Sequence, residues 1–206
     1  MIHTIGDSHS STKYSGWKHC KNVISHHIGP VLCYSFGIEP LKRIDVKAIN
    51  DINDGDTIIF CFGEIDCRNH IHKQVSIQNT SHEIIITRIV CNYINAIKTI
   101  VNALGKKLKN VCIYNVIPTL KEEKIKTLNF NGHPFPFVGS DSDRNRYTIF
   151  FNKQLKKNCH ENSFIFFDIY DKIIDKNGTL REELSDGNSH LSDGYALNGF
   201  INNHLL

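Results

Sequence analysis

Short apolar runs alternate with longer amphipathic ones along this chain, and that alternation predicts its elements. Ile2 to Ile5 reads as a first strand, and Asn22 to His27 as a second that closes at Gly29-Pro30. Thr57 to Phe62 is a third, apolar throughout, as expected of a strand covered on both faces. Asn110 to Val116 and Phe164 to Tyr170 supply a fourth and a fifth. Between them, Lys13 to Cys20 reads as a short helix, and Val46 to Ile52 as another, ended by the turn Asn53-Asp54-Gly55-Asp56. From Glu83 to Leu104 apolar residues recur at Ile86, Ile89, Tyr93, Ile94, Ile97 and Ile100, which is helical spacing, and Gly105 follows as a stop. Arg144 to Asn158 and Tyr195 to Leu205 complete the helices. This order predicts an α/β fold, a mostly parallel five-stranded sheet with helices on both faces.

The stretch from Leu120 to Asp143 breaks the pattern. It has no clear period and carries Pro134, Pro136, Gly132 and Gly139. Loops of that length are usually functional or mobile. With Phe130, His133, Phe135 and Phe137 it reads either as a lid that offers aromatic contacts to a sugar ring or as a loop packed on the domain.

Composition narrows the classes. A length of 206 residues, 40% hydrophobic and 22% charged, suits one soluble globular domain. The formal charge of +3, with no basic block interleaved with aromatics, argues against nucleic acid as partner. No apolar run reaches the ~20 residues of a membrane span, and the N-terminus lacks the pattern of a signal peptide. Seven scattered cysteines, an odd number without a CxxC, suit reduced thiols that act as small hydrophobes. The expectation is a cytoplasmic protein acting on a small-molecule or glycan substrate.

Candidate chemistry lies at strand ends. Ser8, in Gly6-Asp7-Ser8-His9, directly follows the first strand, where open α/β sheets hold ligands. A serine hydroxyl needs a base. His190 is the candidate, with Asp186 to orient it, in the loop Asp186-Gly187-Asn188-Ser189-His190 before the last helix. The amides of Ser8 and Gly29 could hold an oxyanion. The third strand ends in Gly63-Glu64-Ile65-Asp66-Cys67-Arg68-Asn69-His70. There Glu64 or Asp66 could pair with Arg68 to hold the loop, or these groups could serve substrate. Asp7, His9, Gly63, Glu64, Asp66 and Arg68 therefore join Gly29 as oxyanion or substrate-binding candidates. Glu64, Asp66, His70 and His72 match no standard zinc spacing, so no metal is expected.

Together these segments resemble the SGNH hydrolases, or GDSL-type esterases. Gly6-Asp7-Ser8 resembles the first block of that family, Gly29 the oxyanion glycine of the second, Gly63-Glu64-Ile65-Asp66 the Gly-x-Asn-Asp third block, and Asp186 to His190 the Asp-x-x-His last block with one extra residue. The resemblance implies a flavodoxin-like three-layer sandwich, with Ser8 as nucleophile and His190 as base. Ile65 stands where the family has an asparagine that donates to the oxyanion, and losing one such donor typically costs ~2.7–4 kcal/mol. Arg68 or Asn69 could supply a substitute. The Glu-Ile-Asp-Cys-Arg run is similar to a branch met among glycan-modifying proteins, which implies acyl hydrolysis or acyl transfer on a glycan without a cofactor. Two other readings stand beside it. One is a sugar-modifying transferase on the same fold, such as a methyltransferase using S-adenosylmethionine, with His190 or Asp7 activating a sugar hydroxyl; the other is a non-catalytic glycan or protein binder.

Overall fold

The computed structural model describes residues 1–125 and 136–206. Among these residues five strands form where the apolar runs place them: β1 (Ile2–Gly6), β2 (Val23–His27), β3 (Thr57–Cys61), β4 (Asn110–Tyr114) and β5 (Ile165–Phe167). All neighbours pair in parallel, in the order β2-β1-β3-β4-β5. β3 is central and buried at every position, which is why its sequence shows no alternation. The chain winds outward from β1 to β2, then crosses back to β3 on the other side. The carboxyl ends of β1 and β3 therefore flank a switch point, where this architecture opens a crevice.

Seven helices follow among the described residues: α1 (Cys33–Ile38), α2 (Pro40–Arg43), α3 (Ile71–Gln78), α4 (His82–Leu104), α5 (Asp141–Glu161), α6 (Tyr170–Ile173) and α7 (Tyr195–His204). Alternate β3 side chains divide between two cores. Ile58 and Phe60 pack with Ile5, Phe36, Ile86, Tyr93 and Phe151 on the side of α1, α4 and α5. Ile59 and Cys61 pack with Trp17, Phe167, Leu197 and Phe200 on the side of α7. The result is the expected three-layer α/β/α sandwich. α4 is long and apolar enough to cross a membrane by length and composition, but half of its apolar window is buried inside the protein. Gly105 ends it in the left-handed conformation, as the sequence predicts.

Several elements differ from expectation. Val46 to Ile52 is not a helix but a series of turns. Ile49 and Ile52 still bury in the core. The Asp45 carboxylate accepts from Lys47 N–H at 3.0 Å, and Asn53 Nδ2 donates to Asp51 O at 2.8 Å, so short polar side chains compete with helical hydrogen bonding. Lys13 to Cys20 contributes only a 3-10 turn, Gly16–His19. The fifth strand is three residues long because Tyr170 already opens α6. α5 starts at Asp141, earlier than predicted, because Ser140 and Asp143 form a reciprocal capping box. Helices α1, α2 and α3 were not expected at all.

Candidate active site

Ser8 stands on a 3-10 turn, Ser8–Ser10, immediately after β1. Asp7 builds the turn. Its Oδ1 accepts from the backbone N–H of His9 at 2.9 Å, and Ser10 Oγ donates to its carbonyl at 2.8 Å. Thr4 Oγ1 and Trp17 Nε1 donate to the carbonyls of Ser10 and His9 at 2.6 and 2.9 Å, fixing the turn from below. Asp7 and His9 are both buried, at 0% and 4% exposure, so neither reaches freely into the cleft. The His9 ring explains why they matter. Its Nδ1 faces Asp7 Oδ1 at 3.0 Å and its Nε2 faces the carbonyl of Ser189 at 3.0 Å. Both partners are acceptors, so both ring nitrogens carry protons and the ring is an imidazolium. Burial works against that charge, but the Asp7 carboxylate, with Glu64 and the Ser189 carbonyl, raises the pKa to about 9. His9 thereby clamps the Ser8 turn to the loop that carries His190.

That loop closes on itself. Ser185 and Leu191 form an antiparallel bridge, and Asp186 N–H donates to the carbonyl of His190 at 3.1 Å. The extra residue between Asp186 and His190 is absorbed there without separating the two side chains. His190 Nδ1 lies 2.6 Å from Asp186 Oδ2, and His190 Nε2 lies 2.8 Å from Ser8 Oγ. Ser8, His190 and Asp186 are thus one continuous hydrogen-bonded chain across 182 residues of sequence. Burial opposes ionisation of Asp186, but donation from the His190 ring and from the amides of Asn188 and His190 holds its carboxyl below the ordinary range. The negative carboxylate fixes Nδ1 as the protonated nitrogen and leaves Nε2 as acceptor for the Ser8 proton.

At the end of β3, the expected pairing of an acid with Arg68 forms with Glu64. Arg68 Nε and Nη2 donate to Glu64 Oε1 and Oε2 at 2.8 and 3.0 Å, a forked ion pair with both partners buried. Arg68 also lies 5.2 Å from the Phe137 ring, and Arg144 lies 5.4 Å from that ring. Asp66, fully buried, accepts from the amides of Cys33 and Tyr34 at 2.6 and 3.1 Å, so it caps α1. Its burial pushes the carboxyl up to about 7, against the pull of those two amides. Asn69 Nδ2 donates to the carbonyl of Pro136 at 2.7 Å, so it is no replacement for the missing asparagine. Ile65 itself is buried. Glu64, Asp66, His70 and His72 do not gather as a ligand cluster among the described residues.

Two glycines shape the crevice. Gly63 has φ +116°, and a Cβ there would lie 2.7 Å from Val116 Cγ2, so only glycine fits. Gly29 has φ +89°, with nothing near a would-be Cβ, so the conformation alone demands glycine. The N–H groups of Ser8 and Gly29 donate to no acceptor among the described residues, and both follow the carboxyl ends of strands. Of the lid aromatics, Phe130, His133 and Phe135 lie outside the described residues. The Phe137 ring lies within 5.4 Å of both guanidinium groups, and Val138 N–H donates to the Arg68 carbonyl at 2.9 Å, so this end of the segment is tied to the domain.

The sequence reading passed over Tyr14 and His27. The Tyr14 ring stacks at 6.1 Å on His190 and meets His27 edge-on at 5.6 Å, so the two rings flank the triad histidine. No motif marks them; only the closeness of β2 to the serine turn does. Two cavities, of about 740 and 650 Å³, are lined by neither Ser8 nor His190, and Ser8 itself is half-buried.

No protein-family model matches this chain, and no curated protein does. Solved structures do. A proposed platelet activating factor from Streptococcus pneumonia is 18% identical, with a TM-score of 0.67 over 100% of this chain and 83% of that one. A GDSL-like lipase from Bacteroides thetaiotaomicron is 14% identical, at 0.57 over 98% and 85%. A catalytic mutant of an acetylxylan esterase from Geobacillus stearothermophilus, carrying a serine-to-alanine replacement, is 12% identical, at 0.54 over 97% and 91%. With five parallel strands in the order β2-β1-β3-β4-β5 and a serine at the switch point, the chain has the SGNH, or GDSL-type, hydrolase fold.

Proposed function

We propose that this chain is an SGNH-type ester hydrolase that works through an acyl-enzyme on Ser8. The observation that carries this reading is the unbroken path from Ser8 Oγ through His190 to Asp186, at 2.8 and 2.6 Å. Ser8 Oγ attacks the ester carbonyl carbon and its proton passes to His190 Nε2. The tetrahedral intermediate collapses, and the leaving alkoxide takes that proton. Water then attacks the acyl-serine, again giving a proton to Nε2, and the acid departs as Ser8 is re-protonated. Asp186 stabilises the imidazolium formed in each half. These proton and acyl transfers are complete with the chain's own residues, so the reading calls for no cofactor.

The amides of Ser8 and Gly29 are the oxyanion donors in this scheme. Neither Ile65, which is apolar, nor Asn69, which is engaged elsewhere, supplies a third donor among the described residues. The shortfall, typically ~2.7–4 kcal/mol for one donor, favours esters whose leaving group needs little help, or acyl transfer from an activated donor. An O-acylated glycan is the substrate class we favour. Its support is the likeness to an acetylxylan esterase and the Tyr14 ring beside His190, an aromatic face on which a sugar can lie.

Intact-mass spectrometry after treatment with a fluorophosphonate tests the reading. One adduct on the wild-type protein, absent in Ser8→Ala and suppressed in His190→Ala, is expected. Turnover of p-nitrophenyl acetate should fall about 10³-fold or more in both variants. Labelling and turnover unchanged in both variants would overturn the assignment.

A further inference from the structure

Away from the serine, on the sheet face that packs against α1 and α4, three side chains from separate segments converge. His3 comes from β1, His26 from the neighbouring edge strand β2, and Asp51 from the turns that precede β3. His3 Nδ1 lies 3.0 Å from His26 Nε2, and His26 Nε2 lies 3.6 Å from Asp51 Oδ1. All three ligand atoms fall within 4.8 Å of one another. The two imidazoles stack nearly parallel, 10° apart, with centroids at 5.2 Å.

We propose that His3, His26 and Asp51 form a binding site for one divalent transition-metal ion, zinc by the character of its ligands. Around a tetrahedral zinc with bonds of about 2.0–2.1 Å, neighbouring ligand atoms stand about 3.3 Å apart. The two observed separations of 3.0 and 3.6 Å bracket that edge. Two imidazoles and one carboxylate suit zinc and its neighbours, whereas magnesium and calcium demand mostly oxygen.

The tautomer is already set. Asp56 Oδ2 stands 3.2 Å from His3 Nε2 and also accepts from Asn53 N–H at 2.8 Å, while its Oδ1 holds the terminal ammonium of Met1 at 2.5 Å. A carboxylate so placed takes the proton of His3 Nε2, which turns the Nδ1 lone pair towards His26 and Asp51. This is the carboxylate–histidine relay found behind metal-bound imidazoles. The Asp51 carboxylate has no hydrogen bond among the described residues and its side chain is 42% exposed, so the fourth position opens to solvent. None of His3, His26 and Asp51 is hydrogen-bonded to Ser8, His190 or Asp186, so the ion would tie β1, β2 and the turn segment together without being part of the serine triad.

Tag-free protein stripped with a chelator, titrated with zinc against a chromophoric competitor, tests the proposal. One equivalent should bind to the wild type and to His190→Gln, which removes the imidazole of the serine site. Affinity should fall at least ten-fold in His26→Gln and in Asp51→Asn. Cobalt should give visible absorption of tetrahedral intensity in the wild type and in His190→Gln, and lose it in His26→Gln and Asp51→Asn. Asp51→Asn changes an exposed turn and keeps its shape, and circular dichroism checks that both variants are folded. Absence of stoichiometric zinc binding, or affinity unchanged in His26→Gln and Asp51→Asn, would overturn the site.

Discussion

Replacing His9 with glutamine removes a buried cation but keeps an N–H able to reach the carbonyl of Ser189. The effect on stability follows from the ring's two acceptors. The Asp7 carboxylate at 3.0 Å and the Ser189 carbonyl at 3.0 Å hold the imidazolium, and its pKa rises from 6.5 to about 9. A group whose folded pKa is raised contributes stability that is fully present below its unfolded pKa and is lost as pH climbs through the folded one. For His9 this is about 3 kcal/mol at pH 6, falling by roughly 1.4 kcal/mol per pH unit between about 6.5 and 9, and gone above that. Glutamine does not titrate, so the stability gap between wild type and His9→Gln should be about 3 kcal/mol larger at pH 6 than above pH 9. Urea denaturation of both proteins across that range reads it directly. Asp66 and the buried cysteines titrate in both proteins, so their contributions cancel in the difference. A gap that stays constant to within about 0.5 kcal/mol from pH 6 to 9.5 would refute the doubly protonated ring.

Gly63→Ala and Gly29→Ala separate conformational strain from steric clash. Both need a left-handed backbone, but only at Gly63 would a Cβ meet Val116 Cγ2 at 2.7 Å. Gly29→Ala should cost about 1 kcal/mol and Gly63→Ala at least about 2 kcal/mol in urea denaturation; equal costs would reject the clash. Glu64→Gln breaks the buried fork with Arg68 and should destabilise by about 3–5 kcal/mol, and a loss below about 1 kcal/mol would show that the pair does not hold the loop after β3.

Much of the fold could be read locally because burial leaves a periodic trace. The five apolar runs became β1 to β5, and the spacing of Ile86, Ile89, Tyr93 and Ile97 became α4 with Gly105 as its stop. Ser8, Asp186 and His190 were legible because each stands in a short polar loop where strand-helix alternation leaves a crevice, in blocks that resemble the SGNH hydrolases. The same local reading failed wherever a distant partner decided the outcome. α1 takes its cap from Asp66, some 33 residues away, and Val46 to Ile52 keeps its apolar contacts without being a helix. By type, Glu64, Asp66 and Arg68 read equally as a loop-holding ion pair or as substrate groups; only the fold sets Glu64 on Arg68 and Asp66 on the amides of α1.

Charge and ligand geometry belonged wholly to the tertiary structure. Nothing in the run Gly6-Asp7-Ser8-His9 says that residue 9 will be an imidazolium, because that follows from a carbonyl at residue 189 and from exclusion of water. Nothing in the spacing of residues 3, 26 and 51 marks a metal site, because the ligand atoms meet only when β1 pairs with β2 and the turns before β3 close over them. Hydrophobic periodicity is a property of neighbours along the chain and survives in the sequence. Protonation state and ligand convergence are properties of neighbours in space, and they arise only when the fold brings those groups together.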